Sequence, residues 1–290
     1  MHKHNHTSSE RIGLAFLLNF VFTIIEFIGG WLTNSTAIMA DAVHDLGDTL
    51  SIGMAWILGK SSDKSANSHF TYGYQRLSLL GALINGAVLT IGSVWILWEA
   101  VPRLFAPEMP HAQGMFWLAI LGVAVNGYAA FKLSGGKTLN ERILNWHLLE
   151  DALGWFAVLI VSVVLIFFEW PILDPVLSIV FTLYILINVV KNTYTTLKIF
   201  MQGVPDETLR PDVYKKMLSL DHVVDVHHLH LWSLDGEHHV LTAHLVLDIP
   251  LNTDIQHKIK YQLESTLSQY NFSHTTIEFE QPEEICRDQE

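Results

Sequence analysis

Six long apolar runs, near residues 12–33, 35–58, 77–101, 115–133, 143–168 and 172–196, leave this chain few ways to fold in water. Each supplies the ~20 residues that a helix rising 1.5 Å per residue needs to cross ~30 Å of hydrocarbon. Only 16% of the residues are charged, against roughly 25% in soluble domains. The runs therefore predict a membrane all-α fold of six transmembrane helices, with both chain ends on one side. The opening resembles the charged start of a signal peptide. The first run, however, carries Glu26 and is followed by no small-residue cleavage site, so it reads as a retained helix.

Loop charge sets the orientation. One side holds Lys3, Arg11, Lys60, Lys64, Arg76, Lys132, Lys137, Arg142, Lys191 and Lys198, and the other holds Arg103 alone. Lys and Arg accumulate on the cytoplasmic side, which places both termini there. Trp95, Trp98, Trp117 and Trp170 sit where interfacial anchors are expected.

After residue 202 the runs shorten and begin to alternate, the pattern of a soluble domain. Residues 202–290 carry 16 acidic against 6 basic side chains, a balance of −10 within a total of −12, which argues against nucleic-acid binding. A helix at 206–220, strands at 223–234 and 239–248 joined by an Asp235-Gly236 turn, a helix at 253–270 and a strand at 275–280 give a small cytoplasmic α+β domain of order α-β-β-α-β. Three segments follow: a cytoplasmic N-terminus at 1–11 with His2, His4 and His6, which could hold metal loosely, a transmembrane domain at 12–201 and a cytoplasmic domain at 202–290.

The chain has 16 histidines and one cysteine, so a thiolate-rich cluster is excluded and metal chemistry would rest on imidazole and carboxylate. The second run reads Asp41-Ala-Val-His44-Asp45-Leu-Gly-Asp48, and the fifth reads His147-Leu-Leu-Glu150-Asp151. Each contains His-x-x-x-Asp, and residues i and i+4 lie one above the other on a helix face. Two such helices facing each other make an N2O2 site from His44, Asp48, His147 and Asp151. A carboxylate at mid-membrane costs about 2.5–3.5 kcal/mol, and the spans hold no Lys or Arg to offset it except Lys132 and Lys191, both at expected cytoplasmic ends. Two carboxylates and two neutral imidazoles balance one divalent ion, and tetrahedral Zn2+ suits four such ligands. Asp41 and Asp45 form a competing Asp-x-x-x-Asp register. With His44/Asp48 preferred, they become accessory groups on a proton path, as does Glu26. Asn19, Asn85 and Asn126 are expected to hydrogen-bond between helices.

These six helices, the paired His-x-x-x-Asp, Asp174-Pro175 opening the sixth helix and the tail segment from His227 to Trp232 resemble the cation diffusion facilitator family over residues 11 to 281. The resemblance implies a homodimer that exports divalent metal, most often Zn2+, in exchange for protons, with His44, Asp48, His147 and Asp151 as the transport ligands. It further implies a metallochaperone-like tail in which His227, His244, Glu278 and Glu280 form a candidate cytoplasmic site for Zn2+, and an ion pair between Arg76 and Asp206. The paired histidines that some relatives carry between the second and third helices are missing, since this loop runs from His69 to Arg76 with Tyr74 between them. The lack of a His-rich loop at 132–142 gives the chain a bacterial look. In strand geometry His228 and His230 share a face and His227 takes the other.

The sequence thus points to a proton-coupled Zn2+ exporter in a bacterial inner membrane. Its partners would be a second copy, divalent ions, protons and the lipid bilayer. An intramembrane metal-dependent hydrolase using the same ligands is the alternative, but its usual His-Glu-x-x-His is absent. Imidazole–carboxylate sites discriminate mainly by geometry, so Mn2+, Fe2+, Co2+, Ni2+ and Cd2+ stay open beside Zn2+.

Overall fold

The computed structural model describes residues 4–62, 64–134 and 139–288; His2, Lys3 and Lys137 lie outside them. Six long helices come first: α1 (His4–Thr33), α2 (Thr36–Ser62), α3 (Leu77–Arg103), α4 (Ala112–Leu133), α5 (Leu139–Phe168) and α6 (Leu173–Phe200). All but α2 contain stretches long and apolar enough to cross a membrane. At 27 residues α2 has the length, but Asp41, Asp45 and Asp48 lower its hydropathy. The outer faces of the helices are apolar, with Trp98 80% and Phe131 79% exposed, a surface that lipid covers and water would not tolerate.

The chain divides into two compact units, one of Met1–Ile57 with Ile84–Asn192 and one of Leu58–Leu83 with Thr193–Glu290. In the first, α2 is held at its start by polar groups. Ser35 caps it, its Oγ accepting from Ile38 N at 3.2 Å. The buried carboxylate of Asp174, in the first turn of α6, accepts from Ser35 Oγ at 2.5 Å, Thr36 N at 2.7 Å, Thr36 Oγ1 at 2.8 Å and Ala37 N at 3.3 Å. Ser178, one turn on, donates to Thr36 O at 2.9 Å. An acid at a helix N-terminus meets its unpaired N–H groups and the positive end of its dipole.

Below that clamp, small residues let helices approach closely. Gly47 of α2 meets Leu89, and Gly92 of α3 meets Val43. Gly122 of α4 lies directly under the Trp155 ring of α5, where a methyl group would overlap the indole. Around these contacts, Ala37, Ile38, Met115, Ala119, Trp155, Val158 and Leu165 form one buried cluster, and Ala40, Val43, Leu89, Ile96 and Val189 form another. Two of the expected interhelical hydrogen bonds are present: Asn19 Nδ2 donates to Thr49 Oγ1 at 2.9 Å, and Asn85 Nδ2 to Ser51 Oγ at 2.7 Å. Asn126 Nδ2 is buried without a partner. Arg103 ties the α1–α2 corner to the end of α3, donating to Asn34 O and Oδ1 at 2.9 Å and to Glu99 at 2.7 Å.

The second unit holds α7 (Leu209–Leu218), β1 (Val223–Ser233), β2 (His239–Leu247), α8 (Thr253–Leu267) and β3 (Phe272–Glu280). This is the expected α-β-β-α-β order. The sheet runs β1-β2-β3, with β1 antiparallel and β3 parallel to β2. Its core joins Val213 and Met217 of α7 and Ile259, Leu263 and Leu267 of α8 to Val226, Leu231, Leu241 and Leu245 of the strands. The Asp235-Gly236 turn forms as read. Gly236 takes a φ of 106°, and Asp235 Oδ1 accepts from Glu237 N at 2.9 Å and His238 N at 2.7 Å. Helix α7 starts three residues later than expected because Asp206 Oδ1 instead accepts from the backbone N and the hydroxyl of Thr208, both at 2.8 Å. Among the described residues the ion pairs include none between Arg76 and Asp206. Tyr72 packs its ring against Trp232 and His274, at 6.3 and 5.0 Å between centroids.

Candidate metal centre

His44 and Asp48 lie two to three turns into α2, and His147 and Asp151 lie in the N-terminal half of α5. Each pair is spaced i, i+4, so each helix presents an imidazole and a carboxylate together. The two pairs converge. His147 Nε2 lies 3.0 Å from Asp48 Oδ2 and 3.7 Å from Asp151 Oδ2, and His44 Nε2 lies 3.7 Å from both Asp48 Oδ2 and Asp151 Oδ1. The imidazole rings stand edge-on at 5.8 Å. Ligands about 2.0–2.1 Å from a tetrahedral ion sit roughly 3.3 Å from one another; one donor atom each from His44, Asp48 and His147 lies within 4.8 Å of the others, whereas Asp151 meets the two imidazoles through different oxygens and falls outside that group. Asp151 Oδ1 is shut off from solvent without a hydrogen bond, and Asp48 Oδ2 is equally buried with the His147 imidazole beside it; buried carboxylate oxygens of that kind need a proton or a cation.

Asp41 and Asp45 stand outside this quartet. Both are buried, Asp41 beside Gly154 of α5. Glu26 is only 1% exposed, and its carboxyl lies within hydrogen-bonding reach of Asp45. The structure thus separates the two registers that the sequence left competing in α2. A cavity of about 560 Å3 opens onto Asp41, His44 and Asp151 between α2, α5 and α6, with Trp146, Glu150 and Tyr184 among its lining.

This arrangement is matched by known families. The family model described as the cation efflux transmembrane domain covers residues 12–201, and the one for the cytoplasmic domain of cation efflux proteins covers 205–282. The chain belongs to the cation diffusion facilitator family. As a cation diffusion facilitator it is an integral membrane protein and a metal-efflux transporter rather than an enzyme. It is 33% identical over 284 residues to the cadmium, cobalt and zinc/H(+)-K(+) antiporter of Bacillus subtilis, spanning 96% of this chain and 91% of that one. The zinc transporter ZitB of Yersinia pseudotuberculosis is 32% identical across 94% of this chain and 88% of its own. The metal cation efflux system protein CzcD of Cupriavidus metallidurans is 30% identical across 96% and 89%.

The cytoplasmic unit of this cation diffusion facilitator holds a second cluster. Glu280 accepts from His244 Nδ1 at 2.7 Å and His227 Nε2 at 3.1 Å. Glu278 lies 3.8 Å from His244 and is bound to Arg287 at 2.7 Å. Burial alone would lower the His227 imidazole, but its bonds to Glu280 and Asp225 outweigh that and hold it above the usual histidine value. Burial pushes Glu280 up, yet the bonds from Cys286, His244 and His227 hold it below the usual glutamate value. The expectation that His227 faces away from His228 is corrected here. A bulge between His227 and His230 interrupts the alternation, and both rings approach His244, at 5.4 and 5.0 Å. Nothing in the sequence marked the bulge, and Cys286 went unnoticed as a neighbour of this cluster.

Proposed function

We propose that this chain exports Zn2+ from the cytoplasm in exchange for protons, with His44, Asp48, His147 and Asp151 as the transport ligands. The observation that carries this reading is the convergence of two helical His-x-x-x-Asp pairs, each imidazole lying 3.0–3.7 Å from carboxylate oxygens of both helices. Metal binds these ligands only when they are deprotonated, so a proton arriving from the far side competes with the ion and releases it. Glu26, Asp41 and Asp45 form the accessory acidic path beside the quartet. In this reading α2 is the sixth span, its polar residues facing the site rather than lipid. The division at residue 202 separates a transmembrane from a cytoplasmic domain, both termini are cytoplasmic, and the protein works as a homodimer in a bacterial inner membrane. His227, His244 and their neighbours bind metal in the cytoplasmic domain. The transport names of the bacterial relatives, with zinc in two of them, support the choice of ion.

Zn2+ flux into proteoliposomes tests the reading. Flux should rise with a proton gradient directed against the metal and vanish in Asp48→Ala and in Asp151→Ala at unchanged expression. Indifference to a collapsed gradient would remove the exchange mechanism, and retained flux in either variant would remove the quartet.

A further inference from the structure

His228 is a side-chain-bearing residue held at a φ of 47°, a left-handed conformation that costs of order 1 kcal/mol or more and tends to persist where function requires it. Its effect is local and specific. The bulge turns His228 to the same side as His227, and both then face His244 across the β1–β2 ladder. The single cysteine of the chain reaches the same place from the segment beyond β3, with Cys286 Sγ 3.5 Å from His244 Nδ1. One donor atom from each of His227, His228, His244 and Cys286 lies within 4.8 Å of all the others. Four carboxylates stand around this group: Asp225 lies 3.4 Å from His227 Nδ1 and Asp288 3.7 Å from His244 Nε2, while Glu278 and Glu280 have partners of their own. Arg287 holds Glu278, and Glu280 bonds two of the imidazoles, as an outer carboxylate does when it orients histidine ligands.

We propose that His227, His228, His244 and Cys286 form a three-imidazole, one-thiolate site for a thiophilic divalent ion of the Zn2+ or Cd2+ kind, which fastens the segment carrying Cys286 to the bulged strand. This rests on the reading that the cytoplasmic domain binds metal, and it replaces the carboxylate ligands expected from the sequence with a thiolate. The chemistry favours it. Zn2+ accepts sulfur at ~2.3 Å and nitrogen at ~2.0–2.1 Å in tetrahedral sites, whereas a soft thiolate is a poor ligand for the harder Mg2+ and Mn2+. Binding forms the metal–sulfur bond with loss of the thiol proton to solvent, and the ion takes no electron.

Co2+ added to the full-length protein in detergent reports on this site. With the transport quartet removed by Asp48→Ala and Asp151→Ala, the expected spectrum has tetrahedral cobalt bands together with a near-ultraviolet thiolate-to-cobalt charge-transfer band. Because the chain has one cysteine, Cys286→Ser should abolish that charge-transfer band, and Glu278→Gln should leave it intact. Tetrahedral bands without charge transfer would overturn the thiolate and leave a metal-binding cytoplasmic domain standing. No tetrahedral cobalt in the double variant, while the wild type still binds it, would overturn both. Loss of the charge-transfer band in Glu278→Gln would put a carboxylate in the site and overturn the ligand set.

Discussion

The two histidines of the quartet are held differently. His147 approaches Asp48 at 3.0 Å, whereas His44 stands 3.7 Å from each of its carboxylates. His44 is therefore the ligand whose replacement disturbs the others least. Changing it to aspartate makes three carboxylates and one imidazole, a harder site that can bind bidentately and no longer imposes four-coordination. His44→Asp is expected to keep transport and to raise Cd2+ flux relative to Zn2+, measured for both ions in the same vesicles. An unchanged ratio in an active variant would place selectivity elsewhere. A second residue-scale expectation concerns the β1–β2 turn. Burial would raise the Asp235 carboxyl, but the amide and imidazole of His238 and the amide of Glu237 hold it below the usual aspartate value. A group depressed in the folded state stabilises above its unfolded pKa of ~3.9 and loses that contribution as pH falls through the folded value. The stability gap between wild type and Asp235→Ala, from thermal unfolding, should be full at neutral pH and close below about pH 4.

Among the elements, α4 and α5 are locked by Trp155 lying over Gly122. Gly122→Leu forces the indole or the helix to move, a cost of about 1–3 kcal/mol for overpacking. A lowered melting temperature in detergent is expected, with partial recovery in the double variant that also carries Trp155→Ala; no recovery would mean that the two residues do not share this contact. The helices, and the two His-x-x-x-Asp pairs on them, were legible in the sequence because run length, spacing i, i+4 and alternation are local properties. The role of Asp174 was not. It was marked only as opening the sixth helix, and its partners Ser35, Thr36 and Ala37 lie about 138 positions away, a pairing that only helix packing creates. The bulge at His228 was equally hidden, since tertiary contacts hold that backbone conformation. Cys286 lay beyond the last recognisable strand, and its neighbours depend on how the following segment folds back.

For the whole molecule, the proposed orientation makes a prediction that its one cysteine can report. Cys286 belongs to the cytoplasmic side, so a membrane-impermeant maleimide should leave intact cells unlabelled and react after permeabilisation. In a Cys286→Ser background, a cysteine placed at Ala106, between α3 and α4, should react in intact cells. The opposite pattern would invert the topology. The surface of the helical unit was legible in outline, because the exposed Trp98, Trp117 and Trp170 stand at the predicted ends of the runs. The grouping of Leu58–Leu83 with Thr193–Glu290 was not, because the sequence marks 59–76 only as a loop between two runs and the grouping rests on contacts more than 100 positions apart.

The clamp of Asp174 on the first turn of α2 also has a geometric consequence. A rod gripped at one end turns about the grip, and displacement grows with distance from it. His44 and Asp48 lie about 12 and 18 Å from Thr36 along the axis. A tilt of about 5° would carry them roughly 1 and 1.6 Å sideways, several times the ~0.2 Å tolerance of a metal–ligand distance. With the clamped end fixed, a rotation small enough to leave the hydrogen bonds of Asp174 in place is large enough to take the two proposed ligands off an ion.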